Sequence, residues 1–246
     1  MGSELFFSHA PGLPQRSLVW LACLFCAVSS PDYMQAQSPG KILERISFDT
    51  QGKDILHAQI QLASEEKMGL GIALDGTDVL CRQPQTKHFA GVAPAQVVSE
   101  LLANSNSKWF IRNGILEIRP SRIPESEVRI LDMRFNTYNG MNTTIQGLGV
   151  ILSGYIRSRL FPGRGYAGNI LSSTDAEKVT AFTLQNASVE EIADYIVSRG
   201  TKGIWLLHAL SDGEEKRPRD VDLKIYGYKD DGIELESMSC SEIPQE

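Results

Sequence analysis

"APAQVVSELLANSNSKWFIRNGILEI", residues 93 to 118, reads as one helix and one hairpin. Pro94 suits the first turn of a helix, where its missing N–H costs nothing. Ala95, Val98, Leu101 and Leu102 then recur at helical spacing and define a buried face. "KWFIRN" and "ILEIRP" alternate as strands on either side of Asn113-Gly114, a dipeptide that accepts the positive φ angles of a two-residue hairpin turn. The stretch holds no histidine, cysteine or aspartate. It therefore reads as scaffold unless its neighbours bring chemistry to it.

Outward from this unit, the same period rules place further elements. "ISFDT" (46–50) alternates as a half-buried strand. Asp54 caps a helix carrying Ile55, Leu56, Ile60, Leu62 and Ala63, with Gly69 as its stop. "LGIALD" (70–75) and "HFAGV" (88–92) are short strands. The expected order up to residue 120 is βαββαββ. "SRIPESE" (121–127) is polar and carries the domain boundary. Beyond it, "VRILDMRF" (128–135) is expected as a strand, and a long helix follows with Thr143 and Gln146 spaced as a capping box. That helix buries Ile145, Leu148, Leu152, Tyr155 and Ile156. "VTAFTLQN" (179–186) is a strand, and Ser188 caps a helix with Val189, Ile192, Ala193 and Ile196 inward. "IWLLHAL" (204–210) and "VDLKIYGY" (221–228) are strands, the latter expected to pair across Asp231-Gly232 with "IELESM" (233–238). The fold class is α+β: two small βαββαββ-like domains, 41–120 and 126–240, each a short mixed sheet on two helices.

Composition bounds the function. The 246 residues carry a net charge of −6, with 42% hydrophobic and 22% charged residues, ordinary values for a globular protein without a basic field for nucleic acid. Residues 1–36 differ. Arg16 precedes the uncharged run "SLVWLACLFCAVSS" (17–30), too short to span a bilayer and followed by polar residues, as in a cleaved signal peptide. A buried N-terminal helix is the competing reading. Export places the mature chain in the periplasm or outside the cell, without a transmembrane segment. It also leaves Cys81 and Cys240 as the two cysteines, either paired in a disulfide or remaining as separate thiols.

"FAGVAPAQVVSELLANSNSKWFI" aligns with "LQNASVEEIADYIVSRGTKGIWL", Pro94 falling on Ser188, Val98 on Ile192 and Leu102 on Ile196, with Trp109 near Trp205. Both segments follow a strand and precede one, which reads either as an internal duplication of one αβ unit or as the likeness that any two strand-helix-strand segments share. On "IQLASEEKMGL" (60–70), Pro94 and the aromatic pair Trp109-Phe110, residues 44 to 120 resemble the short N-terminal domain shared by secretins and TonB-dependent signalling receptors. Residues 128 to 228 resemble a more distant, expanded copy. The resemblance implies a periplasmic module that contacts another protein through a small sheet and its helices, with no catalytic residues and no cofactor. No secretin ring or outer-membrane barrel sequence accompanies it.

Catalytic patterns are weak by comparison. His57, His88 and His208 have no metal-ligand spacing, and a surface or core role suits each. "GLGIALDG" (69–76) and "GLGVILSG" (147–154) lack the spacing and the strand-to-helix context of a dinucleotide loop. The glycines at 147, 149 and 154 suit close approach of the long helix to another backbone. The patch "YIRSRLFPGRGYAGN" (155–169) gathers Arg157, Arg159, Arg164 and Tyr166 in an acidic chain. It reads either as a partner contact or as the solvated charges of a loop. The expected function is a non-enzymatic, exported interaction or assembly module with an envelope protein as partner. The alternatives are a small exported hydrolase and a small-molecule sensor.

Overall fold

A computed structural model describes residues 44–74, 80, 85–121, 125–164, 177–200, 202–210 and 220–228. All of them belong to the compact unit Ala36–Glu246. The expected signal segment, Cys81, Tyr166, Cys240 and the strand at 233–238 lie outside the described residues.

In the first half, β1 (Ile46–Asp49), α1 (Ile55–Glu65), β2 (Gly69–Leu74), β3 (His88–Val92), α2 (Pro94–Leu102), β4 (Ser107–Arg112) and β5 (Ile115–Pro120) follow the order read from the sequence. Local chemistry accounts for the boundaries. The Asp54 carboxylate accepts from the His57 backbone N–H at the start of α1. Lys67, at φ 52°, supplies the left-handed residue after that helix, so Gly69 begins β2 and does not end α1. Asn113 and Gly114, at φ 54° and 79°, close the β4–β5 hairpin with a turn of the primed type. On α2 the inward residues are Pro94, Val97, Val98, Leu101 and Leu102, with Val97 in the place expected for Ala95.

The second half contains α3 (Glu125–Leu131), β6 (Arg134–Gly140), β7 (Thr143–Thr144), α4 (Ile145–Leu160), β8 (Lys178–Val179), β9 (Phe182–Ser188), α5 (Val189–Val197), β10 (Gly203–Leu210) and β11 (Asp220–Gly227). The strand expected over 128–135 is a correction. Helix α3 occupies its first part, because the adjacent Ile130 and Leu131 are both buried, which a helix allows and strand alternation toward one face does not. Ser188 and Glu191 form the full capping box of α5, and Val189, Ile192, Ala193 and Ile196 are all 0% exposed. Helix α4 is capped one residue later than expected, by the Thr144 hydroxyl accepting from the Gly147 N–H.

One five-stranded sheet, in the order β11-β10-β2-β5-β4, crosses the boundary expected at 121–127. Two separate sheets, one in each half, are not what forms. Strand β2 runs parallel to both β5 and β10, while the outer hairpins β4–β5 and β10–β11 are antiparallel. The physical reason lies in "GLGIAL": all six residues are buried, so both faces and both edges of β2 need covering. On one face Leu70, Ile72, Leu116, Ile118, Ile204 and Leu206 pack with α1 and α2. On the other, Ile115, Trp205, Leu207, Leu223 and Ile225 pack with α3, α4 and α5. The result is a helix–sheet–helix sandwich, flanked by the antiparallel pairs β1–β3 and β6–β9.

The β11 end of the sheet is closed by α4. Ser153 Oγ donates to the Leu223 carbonyl and Arg157 Nη2 donates to the Val221 carbonyl, each at 2.8 Å. A Cβ at Gly149 would lie 2.7 Å from Ile225 Cβ. Four helical residues rise about 6 Å and two strand residues about 6.6 Å, so contacts every fourth residue of α4 stay in step with alternate residues of β11. Gly149 is thus the glycine that lets the helix reach a strand edge. Gly149→Val is expected to lower stability by about 1–3 kcal/mol through overpacking, read as a reduced urea midpoint at unchanged slope.

Candidate functional site

Each half of the chain sets a tryptophan against a helix. Trp109, third residue of β4, donates its indole N–H to Ser99 Oγ of α2 at 3.0 Å. Trp205, third residue of β10, donates to Asp194 Oδ1 of α5 at 2.8 Å. Ser99 and Asp194 are each the sixth residue of their helix. The structural match therefore lies one residue off the sequence alignment that set Pro94 on Ser188. Each half also pairs its first strand with the strand that leads into its tryptophan-contacting helix, β1 with β3 before α2 and β6 with β9 before α5.

Around Trp205 the two halves differ in charge. Asp194 replaces the neutral Ser99, and it joins Glu190 of α5, Arg112 of β4, and Glu117 and Arg119 of β5. Hairpin alternation turns Arg112, Glu117 and Arg119 toward one face, and helical spacing puts Glu190 and Asp194 together opposite them. Arg112 Nε lies 2.8 Å from Glu117 Oε1, and its Nη2 lies 3.0 Å from Asp194 Oδ2. Its Nη1 contacts Glu190. Arg119 Nη2 bridges Glu117 and Glu190, and its guanidinium stacks 4.9 Å from the Trp205 ring centre. Glu117 is fully buried, Arg119 and Asp194 nearly so, and Arg112 opens to solvent at one side.

Three carboxylates face two guanidiniums, an excess of one negative charge inside the fold. Burial, with Asp194 close by, pushes the Glu117 carboxyl up from 4.5 to about 7, against the opposing pull of Arg119. Burial likewise raises Asp194, opposed by the Trp205 hydrogen bond and by Arg112. Burial works against the charge of Arg112, but Glu190, Asp194 and Glu117 together hold its pKa above the ordinary value. Both shifts favour a protonated carboxyl within the cluster, which offsets its excess negative charge. This arrangement locks a hairpin of the first half onto a helix of the second, in a proton-dependent way.

The residues singled out in the sequence fall elsewhere. Arg157 is tied to the Val221 carbonyl. Arg159 Nη1 donates to the Arg134 carbonyl at 2.8 Å and lies over Phe135, while Arg164 lies over Phe161. His57 Nδ1 is 2.7 Å from Asp54 Oδ2 at the cap of α1, and His88 is 3.8 Å from Asp49. His208 stands opposite Asp222 in the β10–β11 ladder. Among the described residues no three His, Cys, Asp or Glu side chains group to hold a metal. No described helix is long and apolar enough to cross a membrane.

The cluster was missed in the sequence because its members come from two hairpin strands and a distant helix. One signal was available: Glu117 and Arg119 occupy the face of β5 on which Ile115 is also buried. Compared with family models, with curated proteins and with solved structures, the chain finds no match.

Proposed function

We propose that this protein is an exported, non-enzymatic interaction module of the cell envelope, built from two diverged copies of one unit resembling the short N-terminal domain of secretins and TonB-dependent receptors. The carrying observation is the repeated contact between the third residue of the hairpin and the sixth residue of the preceding helix, Trp109 with Ser99 and Trp205 with Asp194. A two-stranded flank and a tryptophan-bearing hairpin recur in both halves, so the fold invests its surface in sheet edges and helix faces. The Arg-rich segment serves this reading in part: Arg157 and Arg159 hold backbone, which leaves Arg164, exposed beside Phe161, as the partner-facing arginine.

The test is crosslinking of the tagged mature chain in envelope extracts, followed by identification of what it captures. One specific envelope protein is expected, with recovery by Arg164→Ala reduced at least about threefold and folding unchanged. Esterase, glycosidase and peptidase activity abolished by His57→Ala or His208→Ala would replace this reading with that of a hydrolase.

A further inference from the structure

The two ends of the central sheet are treated differently. Helix α4 covers β11 with a glycine, a serine and an arginine in register. Strand β4 closes the other end, and no described strand or helix lies along its outer edge. Its pairing with β5 runs from Ser107 to Arg112 without a bulge, and the strand contains no proline. Phe110 and Ile111, which point to opposite faces, are 41% and 40% exposed, so the exposure belongs to the edge itself. An edge strand without bulge or proline, with Trp109, Phe110 and Ile111 at its centre between Lys108 and Arg112, is a template for another strand.

The backbone shows which groups point away from β5. A two-residue turn at Asn113-Gly114 makes Arg112 and Ile115 a hydrogen-bonded pair. Alternation then makes Trp109–Ile118 and Ile111–Leu116 non-bonded pairs, directing the N–H and C=O of Trp109 and Ile111 outward. The second half shows how the corresponding edge is used. Strand β10 matches β4 in its position after the helix and in its tryptophan. The outer edge of β10 holds β2, running parallel, with Trp205 opposite Gly71. A Cβ at Gly71 would lie 2.5 Å from the Trp205 indole, so the small residue is what admits the strand.

We infer that the outer edge of β4 binds an extended segment of a partner protein, parallel to β4, with a glycine or alanine opposite Trp109 and apolar residues on either side of it. Lys108, exposed on the same face as Phe110, adds a preference for a carboxylate opposite it. The partner is another protein and not a second copy of this chain. The strand that fills the matching slot, β2, is enclosed on both edges within its own chain. A twofold β4–β4 pairing centred on Phe110 would set Lys108 of each copy against Arg112 of the other. The inference names the contact surface for the interaction module proposed above and rests on that reading.

The probe is a synthetic peptide copying Met68–Asp75, the sequence that fills the matching slot, titrated into the full mature chain with backbone amide shifts as readout. Perturbation is expected at residues 107–112, with dissociation at least about tenfold weaker for the peptide carrying valine at the Gly71 position. Ile111→Pro removes an outward N–H from an edge strand, which the fold tolerates, and it is expected to weaken binding at least about tenfold with the melting temperature within a few degrees. Ser107→Pro, at the end of the strand, serves as the second variant should Ile111→Pro unfold. Absence of binding, equal binding by the proline variants, perturbations confined to other residues, or a wild-type dimer that Ile111→Pro converts to monomer would each overturn the inference. Capture of an envelope partner in crosslinking that is equally strong with Ile111→Pro would overturn this edge while leaving the module reading intact.

Discussion

Trp205→Ala is expected to lower the unfolding free energy by about 3–5 kcal/mol, the range for removing a large buried aromatic side chain, measured by urea denaturation. The indole is 0% exposed, fills the space above Gly71 and stacks on Arg119. Its loss also takes the N–H donor from Asp194, a buried carboxyl already raised by desolvation. Trp205→Phe separates the two effects: it keeps most of the ring volume and removes the donor, with an expected cost of about 1–2 kcal/mol. The contact with Gly71 is testable by a double-mutant cycle. Gly71→Ala is expected to cost about 1–3 kcal/mol with Trp205 present and close to nothing in Trp205→Ala, because the clashing ring is gone. Additive effects would mean that Gly71 is needed for its backbone alone.

Arg119→Met is expected to cost about 3–5 kcal/mol at pH 8, since it leaves Glu117 buried beside Glu190 and Asp194 without its bridging guanidinium. The penalty should shrink at pH 5.5, where a protonated Glu117 no longer requires that partner. The wild type carries the same dependence in weaker form. Glu117 and Asp194 are both raised in the folded state, so the fold keeps protons that the unfolded chain releases. Stability is therefore fully present below about pH 4.5 as far as Glu117 is concerned, and is lost as pH rises through about 7. A shift from 4.5 to about 7 corresponds to on the order of 3 kcal/mol across that window. Glu117→Gln removes the titrating carboxyl and is expected to flatten the profile, with stability at pH 8 equal to or above that of the wild type. An unchanged pH profile in Glu117→Gln would place the proton on another group.

Much of the chain was legible because its determinants are local. The Asn113-Gly114 turn, the Asp54 cap and the Ser188 cap each act within a few residues, and each appears in the structure where its sequence places it. Periodicity identified the inward face of α5 for the same reason, and that of α4 except for Tyr155, expected inward but 44% exposed. It failed at 128–135, where Val128 and Ile130 alternate as in a strand but the adjacent burial of Ile130 and Leu131 decides for a helix turn. Arg157 illustrates a different limit. An arginine beside aromatic residues has the composition of a contact patch, and only the position of β11 beside α4 turns it into a strand-edge donor.

The sequence by itself determined the α+β class and the order of elements through residue 120, since capping, turn conformation and helical period need no distant partner. The tertiary structure decided that the halves share one sheet, that Gly71 makes room for Trp205, and that Arg112, Glu117, Arg119, Glu190 and Asp194 converge. These depend on which buried surfaces meet. A strand covered on both faces shows in sequence only as a short apolar run, and its glycines acquire their meaning from the ring that lies across them.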